Sequence, residues 1–242
     1  MRTSFFAAGA IALALGAVLS VPLVRSRNYR NFQFLLLLAL LGAADLVFVA
    51  AQLGWVAAPP FDPLGFAANV VLLLIAVVGG RIVPLFTRNA LVQRGEQSSI
   101  APAPWLERAS LAALAAVILV DVIRPETTFA GAVAAVAAVL LGLRVSRWQG
   151  YRTLQMPIVV ILHAGYAWLP IALALKSAWL LLHAPWAANW LHALTAGAFG
   201  TMILGVMTRV ALGHTGRQLV VARPISVAYL LVILGAALRV AG

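Results

Sequence analysis

The sequence predicts an all-α fold, a polytopic transmembrane helix bundle of about eight spans. Two observations predict it. Hydrophobic residues make up 64% of the 242 residues and charged residues only 10%, where a soluble domain carries roughly 25% charged residues, so the chain cannot cover a water-facing surface. Its apolar residues also run unbroken for stretches near twenty residues instead of alternating over ten. In lipid every backbone polar group must be satisfied internally, and runs of that length select helices over barrel strands.

The spans fall at about 4–24, 32–54, 64–87, 105–122, 127–145, 157–181, 187–212 and 224–241, all in one transmembrane domain over 1–242. The first has the look of a signal peptide, but Arg25, Arg27 and Arg30 follow it and only Arg2 precedes it. A cleaved leader would carry that basic cluster across the membrane, so a retained span is expected. The fourth and fifth spans are short and separated by a tight polar break from Asp121 to Glu126. The third loop, about 88–104, reads as a flexible connection without helical pattern.

The formal charge of +11 comes from 17 Lys and Arg against 6 Asp and Glu. The arginines sit in short loops, which marks a topology signal and not a nucleic-acid surface. Arg25, Arg27 and Arg30 follow the first span. Arg88, Arg94 and Arg108 fall in the third loop, Arg144, Arg147 and Arg152 in the fifth, and Arg217 and Arg223 in the seventh, while Asp62 lies in the second. Odd loops are therefore expected to be cytoplasmic and both termini external. Cysteine is absent, which excludes disulfides, thiolate metal sites and cysteine nucleophiles. The sequence contains no P-loop, dinucleotide glycine motif or HExxH pair, and no Ser-His-Asp grouping.

Polar residues at membrane depth are costly and require a partner. Asp45, mid-span, is either a helix–helix hydrogen-bonding group or a relay carboxylate. Arg81 follows Gly79-Gly80, where missing side chains admit another helix or a flat cofactor; it either snorkels to the interface or meets an anion. The sixth span opens Met156-Pro157 and carries His163, Gly165, Tyr166 and Pro170. In the seventh, at 100° per residue, His192, Thr195, Phe199, Met202, Val206 and Arg209 form one stripe. Ala193, Ala196, Gly197 and Gly200 form a small-residue face suited to close packing. Gly213-His214-Thr215-Gly216-Arg217 comes next, where His214 either caps the helix or folds back as a ligand. His183 lies in an external loop and is incidental. Imidazole, thioether and guanidinium together suit haem, and imidazole also suits copper.

Three stretches closely resemble the NnrS family of bacterial inner-membrane proteins. They are Gly80-Arg81-Ile82-Val83-Pro84-Leu85-Phe86-Thr87-Arg88-Asn89, Leu162-His163-Ala164-Gly165-Tyr166-Ala167-Trp168, and the segment from His192-Ala193-Leu194-Thr195-Ala196-Gly197 through Val206-Met207-Thr208-Arg209 to Gly213-His214-Thr215-Gly216-Arg217. The resemblance runs from about Arg25 to Arg239. It implies a protein of the bacterial inner membrane that carries haem b and copper and serves denitrification or the response to nitric oxide and nitrosative stress. Carried over by position, the characteristic residues are Arg81, Arg88, His163, Tyr166, His192, Arg209, His214 and Arg217, with His163, His192 and His214 as metal ligands. Typical members add N-terminal helices with another His-rich motif, and further C-terminal helices. This chain lacks that motif, which bears on copper more than on haem.

The expected partners are the lipid bilayer, a second copy or another membrane chain, and nitric oxide as a small ligand. Two rival classes are a transporter or channel lined by Arg81, Asp45 and Arg209, and a non-enzymatic scaffold subunit. Antiparallel neighbouring spans put His163 near the cytoplasmic side and His192 near the external side, so one iron cannot take both. Two sites are expected: an inner one with His163, Tyr166, Arg81, Arg88, Arg209 and His214, and an outer one on His192 and Thr195.

Overall fold

Each apolar run becomes a helix. The structure is a computed structural model; it describes residues 2–27, 29–57, 61–98 and 100–242, with residues 2–10, Ala12 and Arg30 by backbone alone. The Arg30 side chain and Ser99, part of the loop readings above, lie outside what is described. Among the described residues the helices are α1 (Arg2–Arg25), α2 (Phe32–Gln52), α3 (Pro63–Gln93), α4 (Pro104–Ile123), α5 (Thr128–Ser146) and α6 (Pro157–Leu182), then a rod, α7 (190–214), and α8 (Arg223–Ala241). The rod is α-helical over Trp190–His192, π-helical over Ala193–Gly200 and α-helical again over Thr201–His214. Six of these elements are long and apolar enough to cross a membrane: α2, α3, α5, α6, α7 with its short lead-in from Pro185, and α8. α4 carries Glu107, Arg108 and Asp121 within its twenty residues, and α1 contributes a shorter apolar stretch, Leu13–Arg25.

Local chemistry sets the boundaries. Proline opens α3, α4 and α6 at Pro63, Pro104 and Pro157, where its missing N–H costs nothing. The Asp62 carboxylate accepts from the N–H groups of Leu64 and Gly65, both at 3.0 Å, and the Thr127 hydroxyl accepts from Ala130 N–H at 3.2 Å. At the end of α7, Gly216 takes φ +67°. Its N–H reaches the Gly213 carbonyl and that of Arg217 reaches Leu212, which satisfies two orphan carbonyls. The glycine therefore makes the cap. His214 stays exposed and does not fold back.

Two sequence expectations change. α3 runs on through Pro84 to Gln93, so Arg88 lies in a helix; Arg108 and Arg144 are likewise helical, not in loops. The third loop is also tied down. Arg152 donates to Glu96 at 2.8 Å and to the Gln97 carbonyl at 3.0 Å, and Arg94 pairs with Glu96 at 3.0 Å and donates to the Arg152 carbonyl at 3.2 Å. Opposite charges separated by more than fifty residues in sequence thus join the third and fifth loops at one end of the bundle.

α6 is the centre of the bundle. Ile161, Leu162, Tyr166, Leu169, Ala172 and Leu173 are buried along it, and α3, α5 and α7 pack around it. α1 packs on α2, and α2 on α3. Lipid provides no hydrophobic drive between helices, so close approach depends on small residues. A Cβ on Gly165 would lie 2.7 Å from Met202 Cγ, one on Gly197 2.6 Å from Trp168 Cδ2, and one on Gly205 3.0 Å from Ile161 Cγ2. These three contacts fix the antiparallel register of α6 and α7.

Candidate functional site

A buried polar cluster forms where α3, α4, α5 and α6 meet. Arg144 on α5, a guanidinium group, is only 2% exposed. Its Nη1 donates to the Ala76 carbonyl at 3.1 Å and to the Tyr166 hydroxyl at 2.8 Å; its Nη2 pairs with the Glu107 carboxylate. Tyr166 in turn donates to the Ala76 carbonyl at 3.2 Å. The guanidinium carbon lies 5.7 Å from the Trp148 ring and 5.9 Å from the Tyr166 ring, within cation–π range. A buried charge needs a partner and hydrogen bonds of this kind.

Gly79-Gly80 admits this cluster. A Cβ on Gly80 would collide with the Arg144 guanidinium, and one on Gly79 would lie 2.8 Å from the Tyr166 ring. What approaches the glycines in the structure is therefore an arginine and a tyrosine from neighbouring helices.

His163 is one turn from Tyr166 and joins the edge of the cluster. Its Nε2 lies 2.7 Å from Thr87 Oγ1, and the Thr87 hydroxyl reaches the Val83 carbonyl at 2.9 Å. With that hydroxyl donated to the carbonyl, Nε2 carries the ring proton and donates to Thr87, and Nδ1 keeps the lone pair. Nδ1 abuts Gly150, where an added Cβ would lie 2.6 Å away, and Trp148 packs against the ring edge at 6.3 Å.

A second cluster occupies the opposite end. Lys176 on α6 is 4% exposed and pairs with Asp121 of α4. Asn69 of α3 donates to the same carboxylate at 2.6 Å, and the ammonium lies 4.8 Å from the Trp190 ring. A cavity of about 100 Å³ lies beside it, between Phe66, Asp121 and Trp190.

The other expected site residues scatter. Arg81 and Arg88 are exposed, and Asp45 is half-buried on α2. Arg209 stacks on Phe86, its guanidinium carbon 3.4 Å from the ring centroid. His214 and Arg217 are exposed at and past the end of α7. Thr195 donates to the Leu191 carbonyl of its own rod at 2.9 Å. His192 is half-buried immediately before the π-helix. The α6–α7 register sets His192 about ten residues along α6 from His163, roughly 15 Å in depth. Of the expected inner group, the structure joins only His163 and Tyr166 in one cluster. The stripe on α7 is also broken. Met202 is buried against Gly165 on the small-residue face, because the π-helix adds a residue to each of its turns and rotates the helix beyond it.

Sequence reasoning passed over Arg144, Glu107, Trp148 and Thr87 as site residues, and Lys176 altogether. A lysine within a predicted span was the available signal.

The fold and its buried charges define an all-α polytopic membrane protein. The chain matches the model of the family described as NnrS protein over residues 2–242, and it belongs to that family. No curated protein and no solved structure matches it.

Proposed function

We propose that this chain is a haem-associated NnrS-type membrane protein of the nitric oxide or nitrosative stress response, with His192 as the haem ligand. The observation that carries the ligand choice is the difference between the two imidazoles within spans. His163 is bonded to Thr87 through one nitrogen and packed on Gly150 at the other, so its surroundings do not fit an axial ligand. The cavities of about 230 and 100 Å³ at the two ends of the bundle are also small beside the roughly 300–1,000 Å³ of cofactor pockets. The His192 imidazole makes no hydrogen bond to a described residue and stands at the opening of a π-helix, a distortion that recurs at functional sites. Family membership supports the role. Haem would supply an iron able to take up nitric oxide; the chain supplies the imidazole and a bilayer-embedded scaffold. The short donor set gives copper no supporting cluster: among the described residues no three of His, Cys, Asp and Glu come together.

A transporter reading requires a continuous polar path. Tyr166 and Lys176 are separated by ten residues of α6, and the buried side chains between them include Leu169, Ala172 and Leu173. That dry interval does not favour it. The test is the optical spectrum of the full chain purified from haem-replete cells. The wild type and His163→Ala are expected to show a haem band that His192→Ala loses; a colourless wild type, or equal haem in both variants, defeats the reading.

A further inference from the structure

The α3 and α5 ends bearing Arg88 and Arg147 enclose, with the start of α4, a cavity of about 230 Å³ that the haem reading does not use. Its wall combines apolar side chains such as Leu85 and Leu106 with Arg88, Arg144, Arg147 and Glu107. Arg144 already neutralises Glu107 by direct pairing. Arg88 and Arg147 are exposed and form no ion pair among the described residues. The wall therefore holds two uncompensated cations.

Two further features point the same way. α4 starts here with Ala103 at its N-cap, and no side chain caps its first turn. Pro104 brings no N–H to that turn and Glu107 N–H is bonded to the Ala103 carbonyl, so the N–H groups of Trp105 and Leu106 remain for an anion, while the Glu107 carboxylate in the same turn is taken up by Arg144. Arg144, though only 2% exposed, has an Nε with no hydrogen-bond partner among the described residues. A buried donor left unpaired is costly, and the Arg144 side chain forms part of the cavity wall, which keeps that wall electropositive.

We propose that this cavity binds the phosphate group of an anionic ligand, held by Arg88 and Arg147 together with the α4 N-terminus. Guanidinium forks and helix N-termini share a preference for phosphate oxygens. Arg147 caps the end of α5 and Arg88 lies in the last two turns of α3, so the site sits at the depth of lipid headgroups, and its apolar wall suits the glycerol region of a phospholipid. A soluble phosphate offers the same chemistry.

The two sources separate in one experiment. The full chain in neutral detergent is titrated with short-chain phosphatidylglycerol, short-chain phosphatidylcholine and inorganic phosphate, with thermal stabilisation as the readout. Phosphatidylglycerol is expected to bind at least about tenfold more tightly than phosphatidylcholine, since each basic residue near a headgroup contributes appreciably to attraction. The Arg88→Gln/Arg147→Gln double variant should lose that preference while melting, without ligand, as the wild type does, because both side chains are exposed. A response to inorganic phosphate alone, absent in the double variant, upholds the phosphate site and assigns it a soluble ligand. Equal binding of the two lipids without a phosphate response, or undiminished phosphatidylglycerol preference in the double variant, overturns the proposal.

Discussion

At the scale of single residues, the chain places two charges, Arg144 and Lys176, where neither water nor lipid can stabilise them, and each is answered from a distant helix. Lys176 depends on Asp121, with Asn69 sharing the carboxylate. Removing one partner of a buried pair leaves the other uncompensated, whereas replacing both with apolar groups is close to neutral. Lys176→Met should therefore lower stability by roughly 3–5 kcal/mol, and Lys176→Met with Asp121→Leu should recover most of the loss. Unfolding curves in detergent for the two variants check this; a double variant no better than the single one would show that the pair is not the source. These contacts were hardly legible in the sequence. Asp121 sits next to a polar break and reads as part of it, and Arg144 reads as a loop charge because it stands close to the end of α5 at Ser146. The partners lie 55 and 37 residues apart, a separation that no local pattern encodes.

At the scale of elements the reading of the sequence was close, because length and hydropathy are local properties. The predicted 157–181 and 224–241 became Pro157–Leu182 and Arg223–Ala241. The seventh span was harder. A wheel at a constant 100° assumes an α-helix throughout, and nothing in Ala193–Gly200 announces a π-helix. The small-residue face was still legible: Ala193 and Gly197 are both buried, and Gly197 meets Trp168. The resulting register is testable by cross-linking, and the absence of native cysteine removes the background. Ile161→Cys paired with Gly205→Cys is expected to cross-link under mild oxidation, since a Gly205 Cβ would lie 3.0 Å from Ile161 Cγ2. His163→Cys paired with His192→Cys should stay reduced, because their separation of roughly 15 Å far exceeds what a disulfide spans. Cross-linking of the histidine pair would put both imidazoles within reach of one iron.

At the scale of the whole molecule the two ends differ in chemistry. One end gathers Arg88, Arg94, Arg147 and Arg152, and the ion pairs of Glu96 with Arg94 and Arg152 join the third loop to the fifth. At the other end Asp62, Asn69, Asp121, Glu126 and Lys176 line one cavity. This segregation is what alternating loop charges require, and it makes the sides of the molecule internally consistent. Which side faces the cytoplasm depends on the excess of Lys and Arg in short loops, which are retained on that side during insertion. The α7 rod gives the sharpest test, since Ala188 precedes it and Gln218 lies beyond it, and both are exposed. Single cysteines placed there report opposite sides of the membrane without competing thiols. With a membrane-impermeant maleimide on intact cells, Ala188→Cys is expected to label at once and Gln218→Cys only after permeabilisation, because Arg217 and Arg223 flank Gln218. The reverse order would turn the whole bundle over. It would also carry the arginine-lined cavity to the external leaflet, so the same labelling decides which leaflet's lipids the cavity can meet.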